Sequence, residues 1–211
     1  MLTRLLGAVI ALGVLCGSSN AAPVVANAGF ESPSVGGGFQ YGPFVDGFTF
    51  NSGSGVAANG SAFNVSGATG NQAGFLQGAG STISQTIGGF TPGFYSVSFL
   101  AEGRNGQNGA NPFQVSIDGT PLTFAGNSTL TPTVGTFTNF TSDQFLVLSP
   151  NATLSFNGQG VTGADVTSFV DTVGFNLITP VPEPTTIAAF GLMAVGGAGY
   201  VRRRVKGVAT A

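Results

Sequence analysis

Along the middle of the chain, apolar and polar residues alternate in short runs. Tyr95, Val97 and Phe99 alternate with Ser96 and Ser98, and Phe113, Val115 and Ile117 with Gln114 and Ser116. Leu154 and Phe156 alternate with Thr153 and Ser155, and Val173, Phe175 and Leu177 with Thr172, Gly174 and Asn176. A period of two marks half-buried strands, and there is almost no helical period. Further strands are expected at 24–31, 44–50, 73–77, 81–87, 134–140 and 143–148. Asp118-Gly119 supplies a hairpin turn after the second run. About nine or ten short strands with one apolar face predict an all-β fold, a two-sheet antiparallel sandwich. The stretches Gly36-Gly37-Gly38 and Gly53 to Gly60 read as loops, and no nucleotide fingerprint accompanies them.

The pattern breaks at both ends. Arg4 followed by the apolar run Leu5 to Leu15 reads as the start of a secretory signal peptide, too short to span a bilayer. Ser19-Asn20-Ala21 places small residues at −3 and −1 of a signal-peptidase site, so cleavage is expected after Ala21. Leu15 is too large for lipoprotein processing at Cys16, and loss of residues 1–21 would leave a chain with no cysteine and no disulfide. At the other end, Pro180-Val181-Pro182-Glu183-Pro184 is stiff and extended. Thr185 to Val201 then carries no charge and precedes the basic cluster 202–206. As a helix this stretch reaches about 25 Å, short of the roughly 30 Å hydrocarbon core. Four glycines dilute it, and the cations hold its end in the cytoplasm, which suits a temporary transmembrane anchor. The chain thus divides into a signal peptide (1–21), a β-sandwich (22–179) and a tail (180–206).

The tail, with Pro182, Glu183 and Pro184, an apolar helix at 185–201, and Arg202, Arg203 and Arg204, resembles the PEP-CTERM sorting signal of Gram-negative, exopolysaccharide-producing bacteria. The resemblance implies that a membrane-embedded exosortase recognises and removes the tail after transient anchoring in the inner membrane. The product would then reach the cell surface, extracellular matrix or biofilm. The extension from Gly207 to Ala211 is slightly longer than usual for such a signal.

Composition narrows the chemistry. Only 7% of the 211 residues are charged, with 35 Gly, 19 Phe and no His or Trp, against roughly a quarter charged in an ordinary soluble chain. The lack of histidine excludes His-based acid/base catalysis and His-ligated zinc. Six cations, four of them at one end, exclude a basic nucleic-acid binder. The phenylalanines fall in register with Val and Ile and read as core packing. Between 22 and 179 stand seven acids against one cation, Arg104, a net charge of −6. Asp171 shares the strand parity of Phe169, Val173 and Phe175, which points it toward the apolar face, where an unpaired carboxylate is costly.

The order of landmarks in the middle resembles galactose-binding-like jelly rolls, the sandwich of many carbohydrate-binding modules. The matching stretches are 27–33, 47–50, 72–77, 83–87, Pro92-Gly93 leading into 95–99, and the closing strand 169–173. Family members usually carry Trp where Phe48 stands. In the similar jelly rolls, the acid ending the first strand and the Asp of the last strand hold a structural Ca²⁺ with backbone carbonyls, and those positions match Glu31 and Asp171. Hard oxygen ligands suit Ca²⁺, while the competing reading has both acids capping turns on backbone amides.

A glycan face would draw on Phe39, Gln40, Tyr41, Phe44, Arg104, Asn105, Gln107 and Asn108, with Tyr41, Arg104 and Asn105 at its centre. The segment Glu102 to Asn111 reads as a polar rim loop or an ordinary mobile one. A glycoside hydrolase is disfavoured, because no Trp, catalytic motif, or His or Lys base stands near a Ser or Thr nucleophile. The expectation is an exported, non-enzymatic surface or matrix component that grips exopolysaccharide. The alternative is a matrix filler or tail-anchored surface protein with no glycan site.

Overall fold

The computed structural model describes residues 22–42, 47–51, 53–106, 108–161 and 163–180. The expected signal peptide with Ala21, the motif Pro182-Glu183-Pro184, the helix 185–201, the cluster 202–206, and Phe44 and Gln107 all lie outside these residues. No helix occurs among the described residues, and none there could cross a membrane.

Twelve strands build two antiparallel sheets. They are β1 (Phe39–Tyr41), β2 (Thr49–Phe50), β3 (Ser54–Ala58), β4 (Gln72–Gln77), β5 (Thr82–Gly88), β6 (Gly93–Gly103), β7 (Phe113–Ile117), β8 (Thr120–Pro121), β9 (Thr138–Thr141), β10 (Phe145–Val147), β11 (Asn151–Gly158) and β12 (Thr167–Pro180). The larger sheet runs β1-β3-β4-β12-β6, with β9 and β10 end to end along the far edge of β6. The smaller runs β2-β5-β11-β7-β8. Asp118 and Gly119 both take positive φ, 48° and 78°, so β7 and β8 form the expected tight hairpin.

Where alternation is strict, structure follows pattern. Along β11, Ala152, Leu154 and Phe156 are buried between more exposed neighbours. The inner faces of the two sheets meet in a core that includes Phe99, Phe113, Leu154 and Phe156. Phe99 meets Phe156 edge to face at 5.1 Å, an arrangement that aromatic quadrupoles favour. Phe48, 1% exposed, stacks on Phe30 at 4.6 Å.

The structure corrects several expectations. Segment 24–31 is no strand: Asn27 and Phe30 sit at positive φ. It is held by Gln85, which both donates to and accepts from the Ala26 backbone, and by Val173 N donating to Ala28 O at 3.0 Å. Of the expected strand 44–50, the described part is a ladder at only two residues. The Gly-rich stretch 53–60 is not all loop, because β3 within it is buried at every position.

Strands β3 and β4 are buried on both faces because a second, smaller cluster covers the outer face of the large sheet. Phe63, Val65 and Ala68, from the segment between β3 and β4, pack on Ala57, Ala73, Phe75 and Phe169. Small residues in β3 let this outer layer approach. A methyl at Gly55 would lie 2.0 Å from Gln40 O and 2.9 Å from the Phe75 ring.

The parity expected for Asp171 is also corrected. The β6–β12 register shifts between Asp171 and Gly174, and Thr172 takes φ 52°. This bulge turns Phe169 and Asp171 to the outer side while Val173 and Phe175 join the main core.

Candidate functional site: an aromatic and charged patch on the outer sheet face

Strand register assembles the patch. Tyr41 pairs with Gly55, Gly55 with Phe75, Phe75 with Phe169, and Phe169 with Glu102, one row across five strands. Because Gly55 has no side chain, the Tyr41 ring reaches Phe75 edge-on at 4.9 Å. Phe63 fills the space above, 4.6 Å from Phe39, 5.8 Å from Tyr41 and 4.5 Å from Phe75. Phe39 and Tyr41 themselves remain 43% and 42% exposed. Two aromatic rings are thus presented to solvent on a packed aromatic base.

The neighbouring row is polar. Gln77 pairs with Thr167, whose carbonyl accepts from Arg104 N at 2.9 Å. Arg104, expected as a rim cation, is instead 5% exposed. Its Nη1 donates to Asp165 Oδ1 at 2.7 Å, its Nη2 to Ala62 O at 3.0 Å, and its guanidinium lies 4.6 Å from the Phe63 ring centre. Gln77 donates to Asp165 and accepts from the Tyr41 hydroxyl. Burial, and then Asp165, push the Tyr41 phenol above its usual range. The structure therefore joins Tyr41 to Arg104 through Gln77 and Asp165. Asn105 is exposed beyond them, its carbonyl accepting from Asn64 Nδ2 at 3.0 Å; Gln40 and Asn108 are exposed as well.

Under the segment 59–71 the patch is buried and incompletely paired. Glu102 is fully buried, and the Ser66 hydroxyl donates to its Oε1 at 3.0 Å. Glu102 Oε2, Arg104 Nε, Thr167 Oγ1 and Ser61 Oγ are the buried side-chain polar atoms without a partner among the described residues. At the far end of the segment 102–111, Asn111 is fully buried, donates to the carbonyls of Leu76 and Gly78 and accepts from Gly160 N. Gln77, Asp165, Phe63 and Asn111 carry no local motif, and only the register could have revealed them.

Glu31 and Asp171 come together at the other end of this face. A methyl at Gly29 would lie 3.6 Å from Asp171 Oδ1 and 3.9 Å from Glu31 Cγ. Asp171, fully buried, accepts from Thr69 N and Thr172 N, each at 2.6 Å. Glu31 Oε1 accepts from Asn71 N at 2.9 Å and Gln72 N at 3.2 Å. Both acids thus hold backbone amides, as the turn-capping reading expects. Yet burial, and in smaller part the charge of Glu31, raise the Asp171 carboxyl, and the one ion pair among the described residues lies elsewhere. No group of three acidic, His or Cys side chains converges among them.

The sequence comparison decides the tail: residues 180–205 match the PEP-CTERM protein-sorting motif. The chain carries a PEP-CTERM sorting signal. No curated protein matches this chain. Its sandwich is similar to solved structures at low identity, which shows the fold. A cyclase from Fischerella sp. TAU in complex with 4-(1H-Indol-3-yl)butan-2-one is 15% identical, with 77% of this chain and all of that one covered and a TM-score of 0.56. The CBM22-1-CBM22-2 tandem domain of Paenibacillus barcinonensis Xyn10C is 16% identical, with 80% of this chain and 48% of that one covered and a TM-score of 0.51. TmCBM61 in complex with beta-1,4-galactotriose is 15% identical, with 75% and 100% covered and a TM-score of 0.49. The fold is a jelly-roll sandwich of the carbohydrate-binding-module type.

Burial raises the Glu102 carboxyl, while its two bonds to Ser66 act in the opposite direction. Its contribution to stability is complete below the usual glutamate value of 4.5 and is lost as pH rises through the raised value. Glu102→Gln keeps the shape and removes the ionisation. It is expected to flatten the decline in melting temperature as pH rises above 4.5, followed by circular dichroism. An unchanged slope in the variant would place the responsible charge elsewhere.

Proposed function

We propose that the chain is an exported, non-enzymatic surface or matrix protein that grips polysaccharide through the Phe39–Tyr41 patch. The observation that carries this reading is the pair of exposed rings on a packed aromatic base, flanked by Gln77, Asp165 and Arg104. Pyranose faces are apolar and their edges are hydroxyls, so a ring platform beside fixed hydrogen-bonding groups is complementary to them. The fold shared with the CBM22 tandem domain supports the same reading, and the PEP-CTERM motif supports processing by an exosortase. Affinity electrophoresis in gels containing β-1,4-galactan, xylan or the producing bacterium's own exopolysaccharide is the test. Retardation by at least one is expected, with Tyr41→Ala weakening it about tenfold, or about 1.4 kcal/mol. Unaltered migration of the wild-type chain in all three would end the glycan reading.

The sorting half has its own observable. Signal peptidase would cut after Ala21, and the exosortase near Pro182 while the tail helix is in the membrane. Protein recovered from the producing cells' exterior is expected to have an intact mass that starts at residue 22 and lacks residues 185–211. A membrane-bound chain still ending at Ala211 would make the tail a permanent anchor.

Glu31 and Asp171 would hold a structural Ca²⁺, which would neutralise the buried carboxylate and tie the segment after residue 22 to β12. EDTA is expected to lower the melting temperature by about 5–10 °C, with Ca²⁺ restoring it. A melting temperature indifferent to EDTA would leave the acids as turn caps alone.

A further inference from the structure

The opposite edge of the large sheet holds a second recess. Between β9 and the segment after β8 lies a groove of about 410 Å³, within the range of roughly 300–1,000 Å³ usual for small-molecule sites. Buried Phe124 and Leu130 and half-buried Phe140 give it an apolar lining. Asn127, Thr129, Thr131, Asn139 and Thr141 line it too, all exposed. No lining residue is charged.

The walls are fixed before any ligand arrives. Phe140 stacks on Phe99 of the main core at 5.7 Å and 17°. The segment 123–127 closes on itself through Phe124 N donating to Asn127 O at 2.8 Å and Asn127 N to Phe124 O at 3.1 Å. Asp143, just after β9, accepts from Thr123 Oγ1 at 2.6 Å, Gly126 N at 3.1 Å and Ala125 N at 3.2 Å. Leu130 exchanges two backbone bonds with Phe113, each 2.9 Å. A preorganised wall removes much of the ordering cost of binding.

We propose that this groove is a second binding site, for an uncharged glycan segment. Amides and hydroxyls offer donors and acceptors to sugar hydroxyls, while Phe124, Leu130 and Phe140 receive the apolar C–H face. An anionic ligand would meet no counter-charge, and Asp143 behind the wall would repel it. The aromatic patch sits on β1, five strand steps from β9 through β3, β4, β12 and β6. At about 4.8 Å per step the two sites stand about 24 Å apart, so they engage separate stretches of polysaccharide. The domain then cross-links glycan, with an avidity that neither site has alone. The groove stands on its own lining; only the cross-linking rests on the Phe39–Tyr41 reading.

The test uses the full chain in mild detergent with β-1,4-galactan, xylan and the producer's own exopolysaccharide. Asn127→Ala with Asn139→Ala removes groove amides, and Thr131→Trp fills the groove from an exposed position; melting temperatures establish that each variant folds. Each groove variant is expected to weaken gel retardation several-fold. Tyr41→Ala combined with either should abolish it. Cross-linking, read as a rise in solution viscosity on adding protein, should be lost when either site alone is altered. Groove variants that bind as tightly as the unaltered chain would overturn the second site, as would the absence of retardation by all three polysaccharides. If Tyr41→Ala binds normally while the groove variants do not, the groove stands and the cross-linking falls.

Discussion

The bulge in the β6–β12 ladder is the constraint on which the architecture turns. β12 lies in the large sheet with neighbours on both sides, so its side chains must serve two layers. The register shift between Asp171 and Gly174 lets the strand contribute Val173 and Phe175 to the main core and Phe169 to the outer cluster. An unbroken period of two would drive one set into solvent. Just before the bulge, on the outer side, Asp171 accepts from Thr69 N.

Charge is scarce in this sandwich, and its placement is correspondingly telling. The domain's sole cation, Arg104, is buried on Phe63 and tied to Asp165, whose side chain is 40% exposed. Removing one member of such a pair leaves the other without compensation in a poorly solvated place, a larger cost than the net worth of the pair. What the pair supplies is orientation. It fixes Gln77, and Gln77 fixes the Tyr41 hydroxyl, so the exposed ring is held from its polar end as well as by Phe63 and Phe75.

The sequence made legible those elements whose two faces differ. β5, β7 and β11 stand at the sandwich surface with one face in the core, and their alternation located them closely. β3 escaped notice because both its faces are covered, so it needs small residues and shows neither alternation nor bulk. Segment 24–31 carries a strand-like pattern, but positive φ at Asn27 and Phe30 breaks any ladder. Tyr41 and Arg104 were legible as candidate residues but not as neighbours: 63 positions separate them in sequence, and Gln77 and Asp165, which join them, resemble any other polar residue. The bulge at Thr172 had no local signal in Val-Asp-Thr-Val.

β12 reaches Pro180, where the sorting motif begins, with no spacer between them. A pull on the tail therefore enters the domain along its longest strand, which is paired with β6 from Ser168 to Pro180 and with β4 from Thr167 to Val170. Such a load shears many ladder bonds at once instead of peeling them one by one from an edge. Any tension applied at Pro180 would be shared across the sheet before a strand could leave it.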